Sequence, residues 1–202
     1  DGGLDLDLEQ SFVGRLAIDL RGELRSVAAA ELQQDVEASL ARTFPGAALR
    51  ELEVLGLDEV DKPLTLRSKL RISAFGKPTS AGFALTIPPF VRLAPVATLP
   101  ARETAIYVSE RLSKDVRVSI RLTLPPQAKV TSSLASAALG DGPRSVKVSD
   151  RVEGKELVFD RTIVIPPGRI QPAEYPSFRT FATDTDAALG REIEIEVPRS
   201  SP

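Results

Sequence analysis

The chain has 202 residues, 42% apolar and 27% charged, with no Cys, His, Met or Trp. That balance is globular rather than disordered, and a chain of this length buries about 70% of its unfolded surface without a disulfide or metal staple. The net charge of −2 comes from 26 basic and 28 acidic residues of interspersed sign, which argues against nucleic acid and anionic membranes, since both require a concentrated basic face.

In chain order, Leu4, Leu6 and Leu8 alternate with Asp5, Asp7 and Glu9, the period-two pattern of a strand with one face in the core and one in water. Leu16, Ile18 and Leu20 against Ala17, Asp19 and Arg21 predict a second strand. Ala29, Leu32, Val36, Leu40 and Phe44 fall within about a 120° arc and predict a helix near 27–44. Ser26 is its expected N-cap and Pro45-Gly46 its stop. Leu66, Leu70 and Ile72 face away from Arg67, Lys69 and Arg71 in the next strand, and Gly76 to Gly82 reads as a turn between strands ending at Phe75 and starting at Phe83. The Pro-rich stretch from Pro88 to Pro100 reads as a crossover.

Beyond it, Val116, Val118, Ile120, Leu122 and Leu124 alternate with Asp115, Arg117, Ser119, Arg121 and Thr123. Hairpin turns are signalled at Gly140-Asp141-Gly142 and Glu153-Gly154-Lys155. Pro-Pro pairs after Ile87, Leu124 and Ile165 each close a strand, because proline lacks the ladder donor. A shorter helix near 173–189 follows Pro172 or Pro176, and Ile193, Ile195 and Val197 mark a last strand. Strands wet on one side are antiparallel. The expected fold class is therefore mainly β, an antiparallel β-sandwich of the super-sandwich kind with those two helices. It forms one domain over 1–202, or two halves, 1–94 and 95–202, joined through the crossover. No apolar run approaches the ~18 to 20 residues of a transmembrane helix.

The missing Cys and His remove the usual nucleophile, the usual near-neutral base and the commonest transition-metal ligands. Ser68-Lys69 and Ser113-Lys114 do not make a dyad on a strand, since adjacent side chains point to opposite faces; solvent-facing polar residues are expected instead. Asp5 with Asp7 and Asp184 with Asp186 are close carboxylates, but two Tyr and no Trp supply a sugar cleft poorly. Asp58, Glu59 and Asp61 lack EF-hand spacing and read as a solvated acidic loop. The Gly76 to Gly82 segment lacks the order of a phosphate loop. No catalytic, cofactor-binding or metal-ligating residue is assigned, and no cofactor is expected. The distinctive segment is Tyr175, Phe178, Arg179 and Phe181, read as aromatics docking a helix on the sheet, with an exposed partner patch as the competing reading. A start at Asp1 without Met predicts a portion of a longer product.

Several motifs together carry a resemblance. They are Gly14-Arg15-Leu16-Ala17 with Leu20-Arg21, the helix from Leu32 to Phe44-Pro45-Gly46, and the connection from Leu57 to Leu64. Glu110-Arg111, Leu124-Pro125-Pro126, Tyr175, Phe178-Arg179 and Phe181 complete them. The chain resembles the β-rich domain of unknown function that follows the catalytic core in bacterial transglutaminase-like envelope proteins. In that family Gly14 to Arg21 would be the strand shortly after the core, and the catalytic Cys, His and Asp belong to the preceding domain. The resemblance implies a non-catalytic scaffold or protein-binding module in the periplasm or cell envelope. Its partner would be the neighbouring transglutaminase-like domain or an envelope protein, with no nucleic acid and no membrane span in this segment. The alternative is a stand-alone ligand-binding or carboxylate-based hydrolase domain.

Overall fold

The computed structural model describes residues 4–73, 76–109 and 113–197. The expected strand end at Phe75 and the Glu110-Arg111 motif lie outside them. In chain order the first elements are β1 (Leu4–Phe12), α1 (Gly14–Ser26), α2 (Ala29–Thr43), β2 (Ala47–Leu55), β3 (Leu64–Ile72), β4 (Lys77–Pro78) and β5 (Gly82–Thr86). A short 3₁₀ turn at Ala94–Val96 leads to β6 (Ile106–Val108), β7 (Lys114–Thr123), β8 (Lys129–Val130), β9 (Ser136–Asp141) and β10 (Arg144–Glu153). The chain continues with β11 (Glu156–Ile165), β12 (Gly168–Ile170), α3 (Tyr175–Leu189) and β13 (Glu192–Glu196).

The fold is mainly β with antiparallel sheets and, among the described residues, three α-helices. A seven-stranded sheet runs β2-β3-β1-β7-β11-β10-β9, a four-stranded sheet runs β4-β5-β13-β8, and β12 pairs with β6. The period-two pattern explains the large sheet: Leu4, Leu6 and Leu8 on β1 are buried, as are Val116, Val118, Ile120 and Leu122 on β7. Register places them in rows, with Leu6 between Leu70 and Leu122. The same hydrophobic cluster takes in Leu85 and Ile193 from the four-stranded sheet, Leu40 and Phe44 from α2, and Phe178 and Phe181 from α3. All of these share one core cluster with the inward-facing residues of the large sheet, whose alternate side chains are exposed or partly exposed apart from buried Val158.

The punctuation behaves as its chemistry requires. β5, β7 and β11 stop at Thr86, Thr123 and Ile165, just before the three Pro-Pro pairs. Two-residue hairpins join Asp141 to Arg144 and Glu153 to Glu156, with Gly142 at φ 58 and Gly154 at φ 61, the left-handed geometry that such tight turns demand.

Two expectations are overturned. Gly14 to Arg21 is not a strand but the start of α1, so there is a helix more than expected and the strand of the resemblance is absent there. Three alternating residues are too few to separate the periods: Ala17 and Arg21, one helical turn apart, form the buried stripe, and Ile18 is 65% exposed. Ser26 is not the N-cap of α2. It ends α1, where its hydroxyl donates to the Glu23 carbonyl at 2.7 Å, and Ala28 takes the cap position without a side-chain bond.

Candidate functional site

The outer face of the seven-stranded sheet carries a dense arrangement of paired charge. In spatial order, β2 presents Glu51 and Glu53, β3 Arg67, Lys69 and Arg71, and β1 Asp5, Asp7 and Glu9. β7 follows with Arg117 and Arg121, β11 with Glu156 and Asp160, and β10 with Lys147 and Arg151. Apart from Asp115 on β7 and Glu153 on β10, the predominant sign alternates from strand to strand. Arg67 reaches Glu9 at 2.7 Å and Glu53 at 3.4 Å, Lys69 reaches Glu51 at 2.7 Å, and Arg71 reaches Asp5 at 3.1 Å. Arg121 bridges Glu153 at 2.9 Å and Glu156 at 3.0 Å, and Arg151 bridges Glu153 and Asp160. A shallow concavity of about 790 Å³ lies on this face, lined by Asp7, Glu9, Glu51, Arg67, Lys69 and Arg121.

The pairing moves the ionisation of six of these groups in the direction that holds the charge on. The hydrogen bonds that Arg67, Lys69, Arg121 and Arg151 donate to Glu9, Glu51, Glu153 and Asp160 respectively raise these basic groups above their ordinary values. Hydrogen bonds from Arg121 and Arg151 lower Glu153. Burial works against ionisation of Asp160, but hydrogen bonds from Arg151 and Ser119 together with the charges of Arg151 and Arg121 outweigh it and leave that carboxyl below its ordinary value. A general acid needs a carboxyl pushed upward. These two move the other way, which suits ionic pairing rather than proton transfer.

The segment singled out from sequence lies in α3. Tyr175, Phe178 and Phe181 are buried, and Arg179 on the same helix is exposed. The Tyr175 hydroxyl donates to the Leu99 carbonyl at 2.7 Å, tying the helix to the crossover, and the Arg144 guanidinium lies 5.6 Å from the centre of the Phe178 ring. The aromatics thus dock the helix and present no surface patch. Asp184 and Asp186 do not form a carboxylate pair, because residues two apart on a helix point to different sides. Asp184 is exposed, whereas Asp186 accepts the backbone N–H groups of Leu93 at 2.8 Å and Ala94 at 3.0 Å.

The acidic loop of Asp58, Glu59 and Asp61 is exposed, but its backbone is held from α1. Arg21 donates to the carbonyls of Gly56 at 3.0 Å, Glu59 at 3.1 Å and Lys62 at 2.6 Å. Ser68 departs from expectation: it faces the core at 4% exposure, and Lys69 points outward, so the two do lie on opposite faces but Ser68 is not in water. Its register opposite Leu8 put it on the buried row. Among the described residues, no three His, Cys, Asp or Glu side chains gather as a metal site, and no helix is long and apolar enough to cross a membrane.

Sequence reasoning missed a buried ion pair. Asp150 of β10 and Arg161 of β11 bond through side chains only 2% and 3% exposed, and Arg161 also donates to the Asp160 carbonyl at 2.9 Å. The signal was available in the parity: Asp150 is in phase with Val146 and Val148, and Arg161 with Phe159 and Ile163. A second pair, Arg144 with Asp141 at 3.0 Å, closes the β9–β10 hairpin against α3, where Ser177 donates to Asp141 at 2.8 Å.

Comparisons with protein-family models, with curated proteins and with solved structures find no match for this chain.

Proposed function

We propose that the chain is a non-catalytic accessory module of a transglutaminase-like envelope protein, a scaffold that offers the outer face of its large sheet to a protein neighbour. The observation that carries this reading is the banded, internally paired face, a rigid polar platform about six charged strands wide. Paired surface charges add little stability of their own, ~0 to 1 kcal/mol each, but fixed patterns of sign select partners and suppress wrong ones. The second support is the sequence resemblance, which assigns the reactive residues to a preceding domain and the parent to the periplasm or cell envelope. In this reading the four-stranded sheet and the seven-stranded sheet act as the two layers of a sandwich whose shared core stiffens the platform.

The test is a titration of this chain into the isolated catalytic domain of the reading frame that contains it, followed by calorimetry and by the rate of that domain. Saturable binding with a change in rate is the expected result. Neither binding nor any change in rate would overturn the scaffold role.

A further inference from the structure

The alternation of charge across the outer face stops short at one edge. Each interior acidic strand has a basic strand on both sides: β1 lies between β3 and β7, and β11 between β7 and β10. β2 is acidic too, through Glu51 and Glu53, but it is the terminal strand and pairs only with β3 among the described residues. Glu53 is also the looser partner of Arg67, at 3.4 Å against 2.7 Å for Glu9, so it keeps acceptor capacity to spare. On the inner side of the same strand, Leu52 packs against the core cluster yet is only partly buried, and Val54 is partly buried too.

The two edges of the sheet are treated differently. At the far edge, α3 packs on β9, and Ser177 ties that helix to Asp141. At the near edge, a register shift between Leu49 and Glu51 breaks β2, and the Glu37 carboxylate of α2 accepts the Leu49 N–H at 3.0 Å. Those devices block the first half of β2 in the manner of protected edges. Glu51 to Leu55 lies beyond both.

We propose that Glu51–Leu55 of β2 is a strand-addition site for an extended protein segment that alternates basic and apolar residues. Its backbone would extend the ladder, its Lys or Arg side chains would bond Glu51 and Glu53 on the outer face, and its apolar residues would cover Leu52 and Val54 on the inner side. A second copy of this chain pairing β2 with β2 would set Glu51 and Glu53 against the same residues, and like charges directly opposite repel. The site rests on the scaffold reading only in expecting a protein partner, and it commits to one edge and one chemistry.

The test uses the whole chain and two short synthetic peptides, one alternating lysine and valine and the other glutamate and valine, with hydrogen exchange and fluorescence anisotropy as readouts. The lysine peptide should bind at least about tenfold more tightly, slow exchange within Glu51–Leu55 and leave Ser136–Asp141 unchanged. Glu53→Gln should weaken it about threefold, the size expected of one exposed charge pair, and raising the salt should weaken it further. Equal binding of both peptides, or protection confined to β9, would overturn the proposal, as would an unchanged affinity in Glu53→Gln. Because exchange is read on the unmodified chain, the result does not depend on a variant folding. If the catalytic domain binds the chain without protecting Glu51–Leu55, this site falls and the scaffold reading stands.

Discussion

Replacing Arg161 by methionine leaves the Asp150 carboxylate without its cation at 2% side-chain exposure. The loss has three parts: the ion pair with Asp150, the bond from Arg161 to the Asp160 carbonyl at 2.9 Å, and the guanidinium lying 5.7 Å from the Phe159 ring centre. The first dominates, because a charge stranded in a low dielectric keeps its desolvation penalty and loses its compensation. Breaking a buried pair in this way costs ~3 to 5 kcal/mol, a large share of the ~5 to 15 kcal/mol that separates folded from unfolded states in typical domains. Removing both charges has a different outcome. Asp150→Leu with Arg161→Met should restore stability to within ~1 to 2 kcal/mol of the parent, since well-packed apolar residues replace buried ion pairs without loss in many proteins. Urea unfolding followed by far-ultraviolet circular dichroism measures both variants and the Asp150→Leu single, which closes a double-mutant cycle. A coupling energy of at least ~2 kcal/mol is expected. A cost below ~1 kcal/mol for Arg161→Met, or a double variant as unstable as the sum of the singles, would refute the reasoning.

Asp186→Ala removes the acceptor of two backbone N–H groups at the crossover; it should cost ~1 to 3 kcal/mol and speed hydrogen exchange at Leu93 and Ala94, and unchanged exchange there would argue against the staple. Gly56→Ala places a Cβ 2.4 Å from the Pro63 carbonyl oxygen at a φ of 72°, so the β2–β3 connection must shift and the thermal midpoint should fall by several degrees. Acid titration of stability should show a contribution from Glu153 and Asp160, whose carboxyls sit below their ordinary values through Arg121 and Arg151. The sign follows from linkage: it is fully present above the unfolded carboxyl value near ~4 and is lost as pH falls through the lowered folded values. Glu153→Gln with Asp160→Asn should therefore flatten the acid limb and leave the neutral region's slope unchanged; an unaltered acid limb would count against the pairing.

Much of the large sheet was legible because its signals are local. Alternation in β1, β3 and β7 marked which side chains face the core, and Gly142, Gly154 and the Pro-Pro pairs marked where strands turn or stop. α1 was not legible, since a strand and a helix both satisfy Leu16, Ile18 and Leu20, and the choice is made by packing of Ala17 and Arg21. The charged face was half legible. Each strand shows its own sign in sequence, but nothing local says that Glu9 and Arg67 are neighbours, because 58 positions separate them.

The sequence by itself determined the class of structure, antiparallel β with one face wet, because side-chain parity and turn chemistry act over a few residues. The tertiary structure alone decided which strands lie side by side. That choice turned strands of predominantly one sign into a banded face, buried Asp150 against Arg161, and left β2 as the acidic strand with one basic neighbour. The reason is physical: strand order is selected by burial and charge pairing summed over contacts distant in sequence, and no short stretch of residues contains that sum.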